Sequence, residues 1–218
     1  MASGSWGRGA GILRSAPWLP LLAGSAAATL LLLGAVVGHG SGFAFIPTLL
    51  GLAACGGAAA YVLDEESAAV LDATPTSRAH RVLWRLVLVA MPAAVALTGL
   101  LALDRLDPPT HWLRMVPFAA GCLAIGVVLA AVLRRSGHRA PGDLAGVVAV
   151  AVVVLLVATD PLKAWVSVAP LGDTGHAGRT VLLWAAVVLV CAAVTVGCSR
   201  DPGVPGAGYS RVADTPTR

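Results

Sequence analysis

Chemistry in a folded chain needs a nucleophile beside a base, a set of metal ligands, a phosphate-cradling loop or a titratable pair, and this sequence offers few of them. Its cysteines, Cys55, Cys122, Cys191 and Cys198, stand singly within or at the ends of apolar runs. No CxxC or Cys/His pairing of the kind zinc uses accompanies them, so they read as small packing residues, and the sequence implies no metal and no cofactor. His39 and Ser41, in Gly38-His39-Gly40-Ser41-Gly42, suggest a serine hydrolase. The Gly-x-Ser-x-Gly pattern is not met, however, and no later apolar segment holds a histidine to act as base. No Walker lysine loop is present, so the chain cannot hydrolyse ATP alone. The charged group with the clearest pattern is Asp64, Glu65, Glu66 and Asp72, then Pro75, then Arg78, Arg81 and Arg85. This spacing offers no catalytic pair.

Those residues must be positioned by a chain of 218 residues that is 57% hydrophobic and 12% charged. Soluble domains carry about 25% charged residues, so a soluble enzyme is excluded, and a disordered chain would be poor in apolar residues. Six segments can cross a hydrocarbon core of about 30 Å as helices. They are Trp18 to Val37, Phe43 to Leu63, Leu86 to Leu103, Met115 to Leu133, Leu144 to Thr159 and Thr180 to Cys198, and none contains an Asp, Glu, Lys, Arg or His. Continuous runs of Ala, Leu and Val favour helices over the alternating strands of a barrel. The expected fold is all-α and integral to the membrane, with residues 1–17 as an N-terminal tail, 18–198 as the transmembrane domain and 199–218 as a disordered tail. The first segment is too long for a signal-peptide core and is followed at once by a second span, which favours a retained helix.

Lys and Arg set the orientation. Eleven of the fifteen fall on the side that holds both termini, among them Arg78, Arg81, Arg85, Arg134, Arg135 and Arg139; Arg105, Arg114, Lys163 and Arg179 fall on the other. Both termini are therefore expected in the cytoplasm. The net charge of +4 is a topology signal and calls for no nucleic-acid partner.

The loop after the second span predicts a short helix from about Glu65 to Ala73, stopped before Pro75, with Thr74 or Ser77 capping the third span. Arg78, Arg81 and Arg85 would share one face at headgroup level and pair with lipid phosphates. This loop serves either to fix topology or to dock a cytoplasmic partner. On the opposite side, Asp160-Pro161 ends the fifth span, and Leu162 to Gly178 is half apolar and broken by Pro170 and several glycines. Either it dips into the interface with Trp165 at headgroup depth, or it is an ordinary loop. Pro92 and Pro117 lie within spans and predict kinks. Gly34 with Gly38, and Gly126 with Ala130, are small-residue pairs that permit close helix approach.

Spans without ionisable groups exclude ion-coupled transport, intramembrane hydrolysis and lipid transfer, each of which needs a charged or basic group within the membrane. If the protein moves a substrate, the energy comes from outside the bilayer. The stretch Tyr61 to Arg85, an acidic cluster, an apolar patch, a Thr-Pro-Thr break and a basic run, resembles the loop between spans two and three of six-span ABC transporter permeases of the exporter type, in particular permease-like proteins of actinobacteria. The resemblance implies a coupling element at Asp64, Glu65, Glu66, Asp72 and Pro75, with Arg78, Arg81 and Arg85 leading into the membrane. It also implies an outer hairpin over Leu162 to Gly178, including Asp160, Pro161, Trp165 and Pro170 at its approach and within it. The implied protein is a non-enzymatic membrane subunit in the cell membrane, paired as a homo- or heterodimer and driven by a cytoplasmic ABC ATPase. A non-transporting scaffold or accessory subunit is the alternative.

Overall fold

The structure is a computed structural model that describes residues 17–39, 43–64, 78–138, 140–160, 168 and 177–199, with backbone alone at 78–81 and 177. Six helices are long and apolar enough to cross a membrane: Trp18–Val37, Phe45–Leu63, Val82–Leu106, Trp112–Arg135, Pro141–Thr159 and Gly178–Ser199. No strand occurs among the described residues. The chain is an all-α, six-span membrane protein. The proposed 65–73 helix and its caps, Glu65, Glu66, Asp72, Pro75, Pro161, Trp165, Pro170 and both tails lie outside the described residues.

Local chemistry explains most of the boundaries. The fourth span ends where Gly137 takes a left-handed φ of 92°. There the His138 and Gly137 amides turn back onto the Leu133 and Arg134 carbonyls, closing the last helical turn. Asp160, also left-handed at φ 34°, ends the fifth span ahead of Pro161. In the third span, Pro92 cannot donate to the Leu88 carbonyl and its ring crowds it, and the chain tightens into a 3-10 turn over Val87–Val89 before the helix Ala90–Leu106. Pro117 differs from expectation. A 3-10 turn over Trp112–Met115 leads into the helix Val116–Arg135, which places Pro117 in the first turn, where its missing N–H has no helical partner to lose.

The chain runs up and down, so one end of the bundle gathers the starts of the first, third and fifth spans and the ends of the second, fourth and sixth. A buried layer at that end joins Leu21, Leu63, Val82, Ala130 and Ala145. A middle layer centres on Leu52, Cys55, Phe118, Cys122 and Trp184. A small layer at the other end joins Ala35, Ala44, Leu103 and Trp112. Among the described residues, Arg85, Arg134 and Arg135 lie at the end where the second span finishes, here called the basic end.

The second span lies at the centre, with 72% of its most apolar stretch buried against 17% in the sixth. Its run Gly51 to Ala60 is almost entirely small residues, which lets neighbouring backbones approach from several directions. A Cβ on Gly56 would stand 2.5 Å from the Cys122 carbonyl oxygen, and one on Gly126 would overlap the Gly56 carbonyl. The second and fourth helices therefore touch backbone to backbone. Gly34 has nothing within 4 Å of its side-chain position, so the small pair in the first span makes no such crossing at that residue.

Candidate functional site: the buried Asp64 node

At the basic end the second span finishes in a 3-10 turn, Tyr61–Leu63, and its last carbonyls need partners from elsewhere. Two arginines supply them. Arg134, in the last turn of the fourth span, donates from Nη1 to the Leu63 carbonyl at 3.0 Å. Arg85, in the third span, donates from Nη1 to the Asp64 carbonyl. Positive side chains thus sit at the negative end of a helix, where the aligned peptide dipoles favour them. Arg135 does the same for the sixth span, donating to the Gly197 carbonyl at 3.2 Å.

The Asp64 side chain faces the opposite kind of helix end. Its Oδ1 accepts the Gly142 amide at 2.7 Å, in the first turn of the fifth span. Pro141 at the start of that helix has no amide to offer, so a carboxylate from 78 residues earlier caps the first donor available. A Cβ on Gly142 would overlap Asp64 Oδ2 and lie 2.7 Å from Tyr61 Cδ1. Only glycine admits this cap. Asp143 follows directly and bears on both Tyr61 and Asp64.

Asp64 is 8% exposed and Arg85 fully buried. Burial pushes the Asp64 carboxyl up to about 6. The Gly142 amide pulls it down, the Asp143 carboxylate adds to the rise, and Arg85 and Arg134 oppose it. The node therefore joins the second, third, fourth and fifth spans through one partly neutralised cluster.

Of the residues singled out in sequence, Asp64 and Arg85 are brought together. The expectation that Arg85 pairs with lipid phosphate is corrected: its side chain is fully buried within the bundle and donates to the Asp64 carbonyl. Arg78 and Arg81 lie on the same helix, Arg78–Leu86. The helices also run beyond the apolar segments, so Arg85, Asp104, Arg134, Arg135 and Asp143 belong to span ends rather than to loops. Tyr61, Arg134, Gly142 and Asp143 complete the node, and sequence reasoning did not assign them to it. The available signal was Asp143 in the first turn after Pro141, a position that favours negative charge.

The opposite end holds smaller polar contacts. Asp107 accepts from Thr110 Oγ1 and from Trp112 Nε1, the latter at 3.3 Å. Asp160 Oδ1 accepts the Val168 amide at 3.3 Å, while Trp184 Nε1 donates to the Val168 carbonyl at 2.9 Å. Val168 is buried in the middle layer beside Phe118, whose ring meets Trp184 edge-on with centroids 4.9 Å apart. Val168 is thus held among helix side chains, and the rest of the 161–176 segment lies outside the described residues.

A groove of about 220 Å³ runs between the first and third spans, lined by Thr29, Leu32, Val95, Thr98 and Gly99 among others. Thr29 and Thr98 bond carbonyls of their own helices, so the groove presents apolar surface. Among the described residues, no group of three or more His, Cys, Asp or Glu side chains is placed to hold a metal. Comparisons with protein-family models, with curated proteins and with solved structures return no match for this chain.

Proposed function

We propose that the protein is a permease-like membrane subunit of an ATP-driven exporter, working in the cell membrane as a dimer, with both termini and residues 65–77 in the cytoplasm. The observation that carries this reading is the tether between Asp64 and Arg85. These residues bracket the 65–77 segment, and Arg85 donates to the Asp64 carbonyl at its base. A pull on the segment would reach the central second span directly, and through Gly142 and Arg134 the fifth and fourth. A cytoplasmic ATPase could move the helices through such a connection without any charge in mid-membrane. The segment's acidic residues, Glu65, Glu66 and Asp72, supply the recognition surface.

Co-purification tests it. Tagged full-length protein is expected to bring down an ABC ATPase, and reversing Glu65 and Glu66 to lysine to abolish that capture together with any transport phenotype. If no ATPase is recovered and the reversal changes nothing, the reading falls. A second reading, a non-transporting scaffold or accessory subunit, draws support from the backbone contacts of Gly56 with the fourth span and of Gly57 with the fifth, which leave little room for a path between those helices. Under it, capture would yield membrane proteins with no ATPase among them.

A further inference from the structure

We propose that the groove between the first and third spans is a binding site for one membrane phospholipid, with an acyl chain lying in the groove and the phosphate held by Arg105. The proposal rests on the fold alone and is independent of whether the 65–77 segment docks an ATPase.

One wall of the groove is formed by Thr29, Leu32 and Val36 and the other by Val95, Thr98 and Ala102, around a volume of about 220 Å³. Each wall follows its helix for about 10 Å at 1.5 Å per residue. Both lie in the half of their spans away from the basic end. One leaflet supplies about half of a hydrocarbon core of about 30 Å, so the groove matches most of the depth of one acyl chain. Within it the Thr29 and Thr98 hydroxyls are turned to the Ser25 and Ala94 carbonyls of their own helices, which leaves an apolar trough.

The trough ends in a cation. Helical spacing carries the third-span wall into Arg105, which shares a face with Thr98 and Ala102 and is exposed in the last turn of that span. The carboxylates next to it serve the connection to the fourth span. Asp104 Oδ1 accepts the Leu113 amide at 3.3 Å, and Asp107 Oδ2 accepts from Thr110 Oγ1 and Trp112 Nε1. His39, at the same end of the first-span wall, has its Nδ1 2.7 Å from the Val36 carbonyl. Arg105 is therefore the group at this mouth suited to an anion, and its planar guanidinium matches the paired oxygens of a phosphate. An apolar trough at acyl depth with a cation at headgroup depth is complementary to a phospholipid.

A helix from a second copy fits this surface less well. Membrane helices associate through small residues that bring backbones together. The glycine here, Gly99, is already covered by the first span, since a Cβ on it would lie 2.7 Å from Leu32 Cδ1. The lipid side presents the branched side chains of Leu33 and Thr98 instead.

Native mass spectrometry of delipidated full-length protein tests the site, with phosphatidylglycerol, a diacylglycerol of the same chains, and glycerol phosphate as probes. Wild type is expected to bind one phosphatidylglycerol per chain saturably, diacylglycerol about tenfold more weakly, and glycerol phosphate not at all. Arg105→Gln should weaken phosphatidylglycerol about tenfold and leave diacylglycerol unchanged. Ala102→Phe, which fills the trough, should weaken both, whereas Leu97→Phe, on the exposed side of the same span, should change neither. The proposal is overturned if phosphatidylglycerol adds without saturation, if Arg105→Gln binds it as wild type does, or if glycerol phosphate alone binds at Arg105. It also falls if Ala102→Phe dissociates a dimer while lipid binding persists, which would make the groove a helix interface.

Discussion

Replacing Gly126 by alanine places one methyl group where two helices already touch through their backbones. The new Cβ would overlap the Gly56 carbonyl oxygen, come within 2.9 Å of its carbonyl carbon, and stand 3.4 Å from the Ala60 amide nitrogen. None of these atoms belongs to a side chain that can rotate away. The second and fourth spans must separate by something on the order of 1 Å, and the second span is also in contact with the fifth at Gly57 and Gly146, so the displacement spreads. Overpacking of this kind costs about 1–3 kcal/mol, and two rigid backbones put this case at the upper end. For a chain of this size that is a loss of roughly 4–10 °C in melting temperature. Gly34→Ala is the matched control, because nothing lies within 4 Å of the added methyl, and it should change stability by no more than about 0.5 kcal/mol. Thermal unfolding of the two purified variants beside wild type, in one detergent, makes the comparison. The packing argument is refuted if Gly126→Ala melts with wild type, or if Gly34→Ala is the more damaging change.

Three further outcomes follow from individual contacts. Gly142→Ala should break the trans cap by pushing Asp64 off the Gly142 amide, costing about 1–3 kcal/mol and exposing the 141–146 amides to exchange. Arg85→Met removes a buried cation that opposes the rise of the Asp64 carboxyl. Its deficit, about 3 kcal/mol, should therefore be largest at pH 7.5, where Asp64 is ionised, and shrink as protonation sets in towards pH 5, which unfolding at the two pH values would show. Trp184→Phe keeps the apolar ring and loses the bond to the Val168 carbonyl, worth about 1 kcal/mol; protease cleavage within residues 161–176 should accelerate about fivefold.

The spans were legible because each is a long apolar run between breakers, and breakers act locally: Asp160-Pro161 and Gly137 end helices by their own backbone preferences. What the helices do to one another was not legible. Gly34 and Gly126 look alike in sequence, each a glycine four residues from another small one, and they differ only in whether a second backbone lies opposite. Arg85 repeats with Arg78 and Arg81 at helical spacing, which reads as an exposed basic stripe. Its partner is a carbonyl 21 residues earlier that becomes available only because the second span ends there. The Asp64 cap joins residues 78 apart, and no local pattern around Gly142 announces it. The acidic start of the loop was visible in sequence; that its first member turns inward is a property of the packed bundle.

The central claim, that residues 65–77 lie on the cytoplasmic face of a six-span chain, is tested most directly by the sidedness of single cysteines. Ser77→Cys and Pro109→Cys, each in full-length protein with Cys198→Ser, would be treated with a membrane-impermeant maleimide in intact cells and again after permeabilisation. Pro109→Cys should label in intact cells and Ser77→Cys only once the membrane is opened. Labelling of Ser77→Cys in intact cells, or of both positions from the same side, would contradict the account.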